Sequence, residues 1–309
     1  MLDLLLKEIR EIPEAADRCL HTQRDIRLPV HVPYLGMGAS YNPILALYYA
    51  NAPIYPDLSS EYYYYRSSPV SKTNKGVLIS QSGHSSETLW CRERFKTYVA
   101  ITNDPSSPLA TGKNVSEKIL LESGKETAIS SKTYINTLIT LYRGLGFSVS
   151  ETLKILPRDL PSYEKWGEES ADEIFSFMNK VHHTSFYIVG SGPNLATAKQ
   201  AALTMGEAAK LGIIGMSLAE YDHGPKETAK DSIVIFIDAK GEVGQRLTTI
   251  KNKIKNVKNC LSISLSVESP EENFSPLLSI IPFNFLTYYL AKKRGVRKVY
   301  ELGGKIVRA

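Results

Sequence analysis

The fold is decided by one stretch of the chain, Val77-Leu78-Ile79-Ser80-Gln81-Ser82-Gly83-His84-Ser85-Ser86-Glu87-Thr88-Leu89. Its first residues form a short apolar run, of the length expected for a strand that is buried on both faces. Hydroxyl side chains then surround a single glycine, and a segment compatible with a helix follows. Because ligands in open α/β sheets bind where parallel strands give way to helices, we predict a parallel sheet with a ligand site at this turn.

The same turn has the composition of an anion site. Its backbone N–H groups, the positive end of the helix dipole and the hydroxyls of Ser80, Ser82, Ser85 and Thr88 would point towards one anion. We interpret the turn as a phosphate-binding loop. The alternative is a polar turn with a helix cap. The four residues Ser80-Gln81-Ser82-Gly83, taken alone, would favour that alternative.

The preceding segment has the same arrangement of strand, turn and helix. An apolar strand at 30–35 is followed by Gly36-Met37-Gly38-Ala39-Ser40-Tyr41 and then by an apolar helix. The third glycine of a dinucleotide-binding fingerprint would fall at position 41, where this chain has tyrosine. The glycines therefore favour close approach of a smaller ligand, with Ser40 able to donate its hydroxyl.

A second cluster of hydroxyl side chains, Thr127-Ala128-Ile129-Ser130-Ser131-Lys132-Thr133, precedes a long apolar helix that we predict at 134–147. This cluster is either an N-cap alone or, because Lys132 adds a positive charge, part of a sugar-phosphate site.

The second half of the chain repeats the pattern of the first. Gly190-Ser191-Gly192 follows an apolar strand and precedes an alanine-rich helix predicted at 195–211, and the apolar run at 232–238 parallels the run at 76–80. Such self-similarity indicates duplication of one unit. We therefore predict an α/β fold of two tandem domains, each a doubly wound parallel sheet flanked by helices, at 1–157 and 163–309.

The two halves differ in one informative way. The turn after the 232–238 strand reads Ala239-Lys240-Gly241-Glu242, which has no hydroxyl cluster and carries an acid that would repel a phosphate. The sequence therefore predicts one anion site, in the first half. Residues 157–162, with two prolines, are predicted to be the linker between the domains.

Two residues of the second half are candidates for acid–base chemistry. Glu207 lies near the end of a largely apolar helix, where a carboxyl facing a cleft would have a raised pKa suited to proton transfer. His223 precedes Gly-Pro, which presents its imidazole on a loop. An exposed helix glutamate and a surface histidine are the alternatives, and spacing alone does not decide between the two interpretations.

Composition excludes several other classes of protein. The net charge of +5 is spread over 309 residues, so we predict no nucleic-acid partner. Its three cysteines lack the spacing of a metal site, and no segment is long and apolar enough to span a membrane. With no signal-peptide pattern at Met1, we expect a cytoplasmic protein with no metal and no cofactor.

The ordered set of motifs resembles the sugar-isomerase (SIS) family, and most closely the isomerase half of glucosamine-6-phosphate synthase and the SIS-type glucosamine-6-phosphate deaminases. The resemblance covers essentially the whole chain and rests on motifs that occur in the family's order. They are Gly36-x-Gly38-x-Ser40, Ser80-Gln81-Ser82-Gly83 with Ser85 and Thr88, Ile101-Thr102-Asn103, Ser130-Ser131-Lys132, Glu207, His223-Gly224-Pro225 and Lys305.

The resemblance implies a role for each matched position. The phosphate would be bound by Ser40, Ser80, Gln81, Ser82 and Ser85, and the sugar contacted by Gly38, Ala39, Ser130 and Lys132. Glu207 would carry a proton between the first two carbons of the open-chain sugar. His223, often supplied by a neighbouring subunit in the family, would assist ring opening, and Lys305 of the tail would close over the sugar. A homodimer with shared active sites is implied.

The chain also departs from the family pattern. His84 replaces a glutamate after the serine loop, Ser80–Ser85. Gln200 and Thr204 replace a glutamate and a lysine before Glu207, and the last residues are Arg308-Ala309 in place of an acidic end. There is no catalytic cysteine near Met1, so we expect this chain not to draw nitrogen from glutamine by itself.

We therefore expect a glucosamine-6-phosphate deaminase that forms fructose-6-phosphate and ammonia from a phosphorylated amino sugar. Three alternatives stay open: a deglycase or other isomerase of a phosphorylated amino or keto sugar, an isomerising subunit fed by a separate glutaminase, and a non-catalytic sugar-phosphate sensor.

Overall fold

The computed structural model describes residues 2–23, 25–66, 73–182 and 184–302. Strands and helices alternate along these residues. The strands are β1 (Pro33–Gly36), β2 (Tyr55–Leu58), β3 (Thr73–Ile79), β4 (Phe95–Thr102), β5 (Val115–Leu120), β6 (Ser185–Gly190), β7 (Ile214–Ser217), β8 (Ser232–Asp238) and β9 (Leu261–Ser266). The α-helices are α1 (Leu2–Arg10), α2 (Ile12–Thr22), α3 (Asn42–Tyr49), α4 (Ser59–Glu61), α5 (Ser86–Cys91), α6 (Lys132–Gly144), α7 (Ser150–Leu153), α8 (Ile155–Lys180), α9 (Asn194–Ala209), α10 (Leu218–His223), α11 (Gly244–Lys255) and α12 (Pro276–Lys293).

The strands form two parallel sheets. One has the order β2-β1-β3-β4-β5 and the other the order β7-β6-β8-β9. Every described strand pairing is parallel. The predicted α/β class is therefore confirmed, and the second sheet repeats the order of the first four strands of the first sheet.

The central strands of both sheets are buried along nearly their whole length. Val77, Leu78 and Ile79 of β3 are buried, and all of β8 except Asp238 is buried. Strands of this kind are apolar because helices cover both faces of a parallel sheet. Since the strands run in one direction, the turns that follow β1 and β3 lie at the same edge, on neighbouring strands.

The chain divides into two compact units. The N-terminal unit contains Ile12–Glu126, Lys132–Ser150 and Leu302. The C-terminal unit contains residues 2–11, Thr127–Ser131 and Glu151–Glu301. The start of the chain therefore belongs to the same unit as most of its second half.

A buried carboxylate on α1 accounts for this connection. Glu8 is only 2% exposed, and its oxygens accept hydrogen bonds from the Thr127 backbone N–H at 2.8 Å, the Thr127 hydroxyl at 2.9 Å and the Ala128 N–H at 3.3 Å. Arg10 donates to Glu164 of α8 at 2.6 Å. These bonds fix α1 to the C-terminal unit.

The segment predicted as a linker, 157–162, lies inside a helix instead. The helix α8 begins at Ile155 and continues to Lys180 with Pro161 inside it. Pro157 falls in the first turn, where a backbone N–H would have no partner in the helix, and Pro161 removes only one hydrogen bond from a helix of 26 residues. None of the described helices combines the length and the hydrophobicity needed to cross a bilayer.

Gly167 lies where α8 packs closely against α12. A Cβ atom at Gly167 would lie 2.6 Å from Cβ of Phe285 and 2.7 Å from the backbone nitrogen of Leu286. Alanine has a higher helix propensity than glycine. The backbone of α12, however, cannot move aside as a flexible side chain would, so the clash outweighs the propensity and an alanine here is destabilising.

We expect Gly167→Ala to lower the free energy of unfolding by about 1–3 kcal/mol, measured by urea denaturation. Gly212→Ala is the matched control in the same unit, because a Cβ atom there would meet nothing within 4 Å. Equal midpoints for the two variants would show that α8 and α12 do not approach this closely.

Candidate active site

The turn after β3 is closed by bonds between its own residues. Ser80 is 1% exposed and donates to the Ser85 hydroxyl at 3.0 Å, just before α5 begins. Gly83 has a φ of +65°, and a Cβ atom there would lie 2.1 Å from the Ser107 hydroxyl oxygen. Both the left-handed backbone and the close approach of Ser107 require glycine at this position.

The accessible side of the turn presents hydrogen-bond donors. Among the described residues, no acceptor is bonded to the backbone N–H groups of Gln81 and Ser82 or to the hydroxyl hydrogen of Ser82, whose oxygen accepts from the His84 N–H at 3.2 Å. The Gln81 carbonyl accepts from Asn103 N–H at 2.9 Å and from the Thr102 hydroxyl at 3.1 Å. Because the peptide is planar and trans, the Ser82 N–H then points away from β4. This arrangement can receive an oxyanion.

The neighbouring turn, after β1, lies at the same edge of the sheet. Gly38 has a φ of +51° and opens a short 3₁₀ turn in which the Ser40 N–H bonds the Met37 carbonyl at 3.0 Å. Ala39 and Ser40 are half-buried, and Gly38 is exposed. The structure thus brings the residues predicted to bind the substrate on these two turns to adjoining strand ends.

Two side chains near the turn have other partners. Thr88 is fully buried, and its hydroxyl lies 3.1 Å from that of Ser59, so it bonds in the core behind the loop. The exposed imidazole of His84 lies 3.9 Å from the Asp104 carboxylate.

Lys132 lies deeper than its predicted role suggests. It is 3% exposed, and its ammonium group donates to the Lys125 carbonyl at 2.9 Å in the N-terminal unit. Ser130 is half-buried in the segment of the C-terminal unit that Glu8 holds.

Glu207 is the most perturbed acid of the C-terminal unit. It lies two residues before the end of α9 and is half-buried, and burial raises the pKa of its carboxyl from an ordinary 4.5 to about 7, although nearby Lys210 opposes the shift. Thr204, one turn earlier, is fully buried and bonds the carbonyls of Gln200 and Ala201 at 3.1 and 3.2 Å. No group among the described residues bonds the Glu207 carboxylate.

The end of α9 is fixed to the end of the described chain. Lys210 has left-handed backbone angles, and its ammonium group donates to the Glu207 carbonyl at 2.8 Å and to the Val299 carbonyl. The Tyr300 hydroxyl donates to the Ala128 carbonyl at 2.7 Å. The predicted catalytic Lys305 follows these anchors but lies outside the described residues.

His223 is the last residue of α10 and is exposed. A capping box starts this helix: Ser217 accepts from the Glu220 N–H at 3.1 Å, and the Glu220 carboxylate accepts from the Ser217 N–H at 2.9 Å. The neighbouring Asp222 is engaged by Lys226 at 3.0 Å and by Arg246 at 2.8 Å. No cluster of three His, Cys, Asp or Glu side chains able to hold a metal occurs in the described part of the chain.

Sequence reasoning missed the residues that hold these segments in place. Glu8 gave no signal beyond its place in an amphipathic helix, and Lys210 and Tyr300 look like ordinary surface residues in the sequence. Glu8, Lys210 and Tyr300 each bond a backbone group that lies more than 80 residues away in the sequence. Such contacts leave no local pattern.

Comparison with known proteins shows what the chain is similar to. No family model matches it. The glutamine–fructose-6-phosphate aminotransferase [isomerizing] of Pyrobaculum aerophilum is 27% identical over 335 aligned positions, which cover 94% of this chain and 55% of that protein. The chain spans about half the length of the curated relatives it matches.

Solved structures give the same answer for the fold. The C-terminal domain of glucosamine-fructose-6-phosphate aminotransferase from Francisella tularensis superposes with a TM-score of 0.76 at 19% identity, over 95% of this chain and 97% of that one. Glucosamine-6-phosphate deaminase from Thermotoga maritima superposes with a TM-score of 0.75 at 18% identity, over 94% and 95%.

The fold is therefore that of the SIS phosphosugar isomerases. More particularly, the resemblance predicted from the ordered motifs, to the isomerase half of glucosamine-6-phosphate synthase and to glucosamine-6-phosphate deaminases, is confirmed.

The raised pKa of Glu207 has a consequence for stability. The neutral carboxyl suits its half-buried site, so its effect is fully favourable below about pH 4.5 and is lost as the pH rises through about 7. We expect Glu207→Gln to match the parent chain at pH 4 and to exceed its unfolding free energy by up to about 3 kcal/mol at pH 9. Denaturant titrations at both pH values measure this difference.

Glu220→Gln is the control of opposite sign. The bonds from Ser217 lower the pKa of Glu220, so this substitution should weaken the protein above about pH 4.5 rather than strengthen it. A Glu207→Gln effect that is the same at pH 4 and pH 9 would contradict the burial of the carboxyl.

Proposed function

We propose that the chain is an enzyme of two tandem SIS domains that converts glucosamine-6-phosphate and water into fructose-6-phosphate and ammonia. The observation that carries the proposal is Glu207, a half-buried carboxylate whose pKa near 7 lets it both accept and return a proton at neutral pH. A protein that only bound the sugar phosphate would need the serine loop and no such group.

Phosphate binding is assigned to the turns at the edge of the N-terminal sheet. Ser40, Ser80, Gln81, Ser82 and Ser85 are proposed to hold the phosphate, and the donors of Gln81 and Ser82 described above support this assignment. Gly38, Ala39, Ser130 and Lys132 are proposed, on the family resemblance, to contact the sugar. The phosphate anchors the molecule at the end opposite to the reacting carbons, so that binding energy orients the reaction.

The chemistry is assigned to groups of the C-terminal unit. After the ring opens, the Glu207 carboxylate removes the proton from the second carbon, the electron pair moves to the aldehyde oxygen, and that oxygen takes a proton from water to give an enaminol. The protonated Glu207 returns its proton to the first carbon, and the nitrogen gives a proton back to the solvent, which leaves an imine at the second carbon. Water adds to that imine, the carbon–nitrogen bond breaks, and ammonia leaves a ketone, so that atoms and electrons balance without a redox partner.

Two further roles rest on the resemblance. His223 is proposed to assist ring opening, and its exposure at the end of α10 supports a role towards a second chain of a homodimer. Lys305 is proposed to cover the sugar. We further propose a cytoplasmic location, because the described cysteines, Cys19, Cys91 and Cys260, are all free thiols.

A second candidate is the reverse reaction, with fructose-6-phosphate and ammonia as substrates. It is favoured by the names of the curated relatives, which are isomerising aminotransferases about twice as long as this chain. In that case a separate glutaminase would supply the ammonia. A deglycase would use the same proton transfer on a sugar–amino-acid adduct.

A panel of substrates separates these candidates. We expect the purified chain to release ammonia from glucosamine-6-phosphate, measured by a coupled ammonia assay, and not from glucosamine, which lacks the anchoring phosphate. Glucosamine-6-phosphate formed only from fructose-6-phosphate with ammonium would indicate the reverse function. Amino acid released from a phosphorylated adduct would indicate a deglycase, and binding without turnover a sensor.

Glu207→Gln should lower kcat by about 10²–10⁴-fold and leave the affinity for fructose-6-phosphate within about threefold of the parent value. In the parent chain, kcat should rise with pH through about 7, because the first step needs the ionised carboxylate. Ammonia release at the parental rate by Glu207→Gln would refute the assignment.

Ser82→Ala should have the complementary effect. Loss of one hydrogen bond to a charged phosphate should raise KM by roughly ten- to a hundredfold, with kcat changed much less. Ser106→Ala is the matched control, since that hydroxyl donates to Asp104 on the exposed surface at 2.6 Å. An unchanged KM in Ser82→Ala would show that the phosphate does not bind at this turn.

A further inference from the structure

The C-terminal unit has a pocket in the place that corresponds to the serine loop. β8 holds the position in its sheet that β3 holds in the other sheet. The turn after β8 is therefore the counterpart of the turn after β3. The residues that line the pocket include Ser191, Asn194, Asp238, Lys240, Gly241 and Glu272.

The Glu272 side chain lines this pocket together with Asp238 and reaches the backbone of the turn. The Glu272 carboxylate accepts a hydrogen bond from the Glu242 backbone N–H at 3.2 Å. A Cβ atom at Gly241 would lie only 1.8–2.0 Å from the three atoms of that carboxyl group. The carboxylate therefore rests directly on the backbone of the turn. Glu242 itself, whose charge the sequence suggested would repel a phosphate, has an exposed side chain and takes part through its backbone.

The same position in the N-terminal unit holds a neutral group. The segment after β4 places Ser107 against Gly83, and the segment after β9 places Glu272 against Gly241. β4 and β9 correspond in the two sheets. The Ser107 hydroxyl donates to the Asp104 carbonyl and carries no charge. The two copies thus differ by a carboxylate that reaches the turn in one and a short hydroxyl in the other.

The cations around the pocket are engaged by other acids. Lys240 lies 2.9 Å from Glu268, and Lys251 lies 3.4 Å from Asp238. No described cation is paired with Glu272, and its carboxylate accepts from the Glu242 backbone N–H of the turn.

We infer that Glu272 is an internal substitute for a bound oxyanion, and that it keeps phosphate esters out of the C-terminal pocket. The chain then binds one phosphosugar and not two. This inference rests on the proposed function only in taking the N-terminal turn as the anion site. Shortening the side chain at position 272 should open a second pocket for a tetrahedral oxyanion.

Tungstate is a suitable probe, because it is tetrahedral, doubly charged and located by its anomalous scattering. Crystals of the parent chain and of Glu272→Ser are soaked in the same tungstate concentration. We expect a peak beside the Glu242 backbone nitrogen in Glu272→Ser and none there in the parent chain. In solution, the number of inorganic phosphate ions bound per chain should rise from one to two, measured by calorimetry.

Glu272→Gln is the matched control. Its amide oxygen still accepts from the Glu242 N–H and its volume is unchanged, so the pocket should stay closed. Glu272→Ala repeats the test if the serine variant melts at a lower temperature than the parent chain. Since Glu272 has no assigned role in the reaction, all three variants should keep parental turnover.

Three results would overturn the inference: tungstate beside Glu242 in the parent chain, its absence in both shortened variants, or equal occupancy in Glu272→Gln. A peak beside Glu242 in Glu272→Ser, with none at the Ser80–Ser85 turn in any crystal, would support the inference and refute the phosphate site of the proposed function.

Discussion

Burial of the parallel strands on both faces is the constraint on which the rest of the structure depends. A strand such as β8, which is apolar from Ile233 to Ile237, can be stable only with helices on both sides of its sheet. The crossover connections that supply those helices return the chain to the same edge each time. Polar turns therefore collect at the carboxyl ends of the strands, where backbone N–H groups have no strand partner and can bind a ligand or a side chain.

The two units apply this constraint with different results. In the N-terminal unit, the Ser80–Ser85 bond closes the turn, and Gln81 and Ser82 keep donors on its accessible side. In the C-terminal unit, Glu272 already bonds the corresponding turn. The carboxyl of Glu207 lies on α9 of the C-terminal unit, where burial raises its pKa. One repeated architecture thus supports one open turn, one filled turn and one acid.

Much of this could be predicted from the sequence because the signals are local. The apolar runs that became β3 and β8, the glycine turns after β1 and β6 and the repeat itself were all found from their patterns. The strands β2 and β7 were missed, because each has four residues at the edge of its sheet and no apolar run. The helix through 157–162 was missed because proline was taken as a helix breaker, whereas a long helix packed on α12 tolerates it. Glu272 was missed for another reason. Its side chain contacts a turn that lies 30 residues earlier in the sequence, and such a contact leaves no periodic pattern.

The position of α1 bears on how the chain is made. Its Glu8 and Arg10 bond residues from 127 onwards, so α1 must wait for partners that are synthesised much later. Residues 12–126 and 132–150 have their own sheet and can collapse around it meanwhile. The amphipathic surface of α1 is thus uncovered during that interval, which makes α1 a natural place for a chaperone to engage this protein.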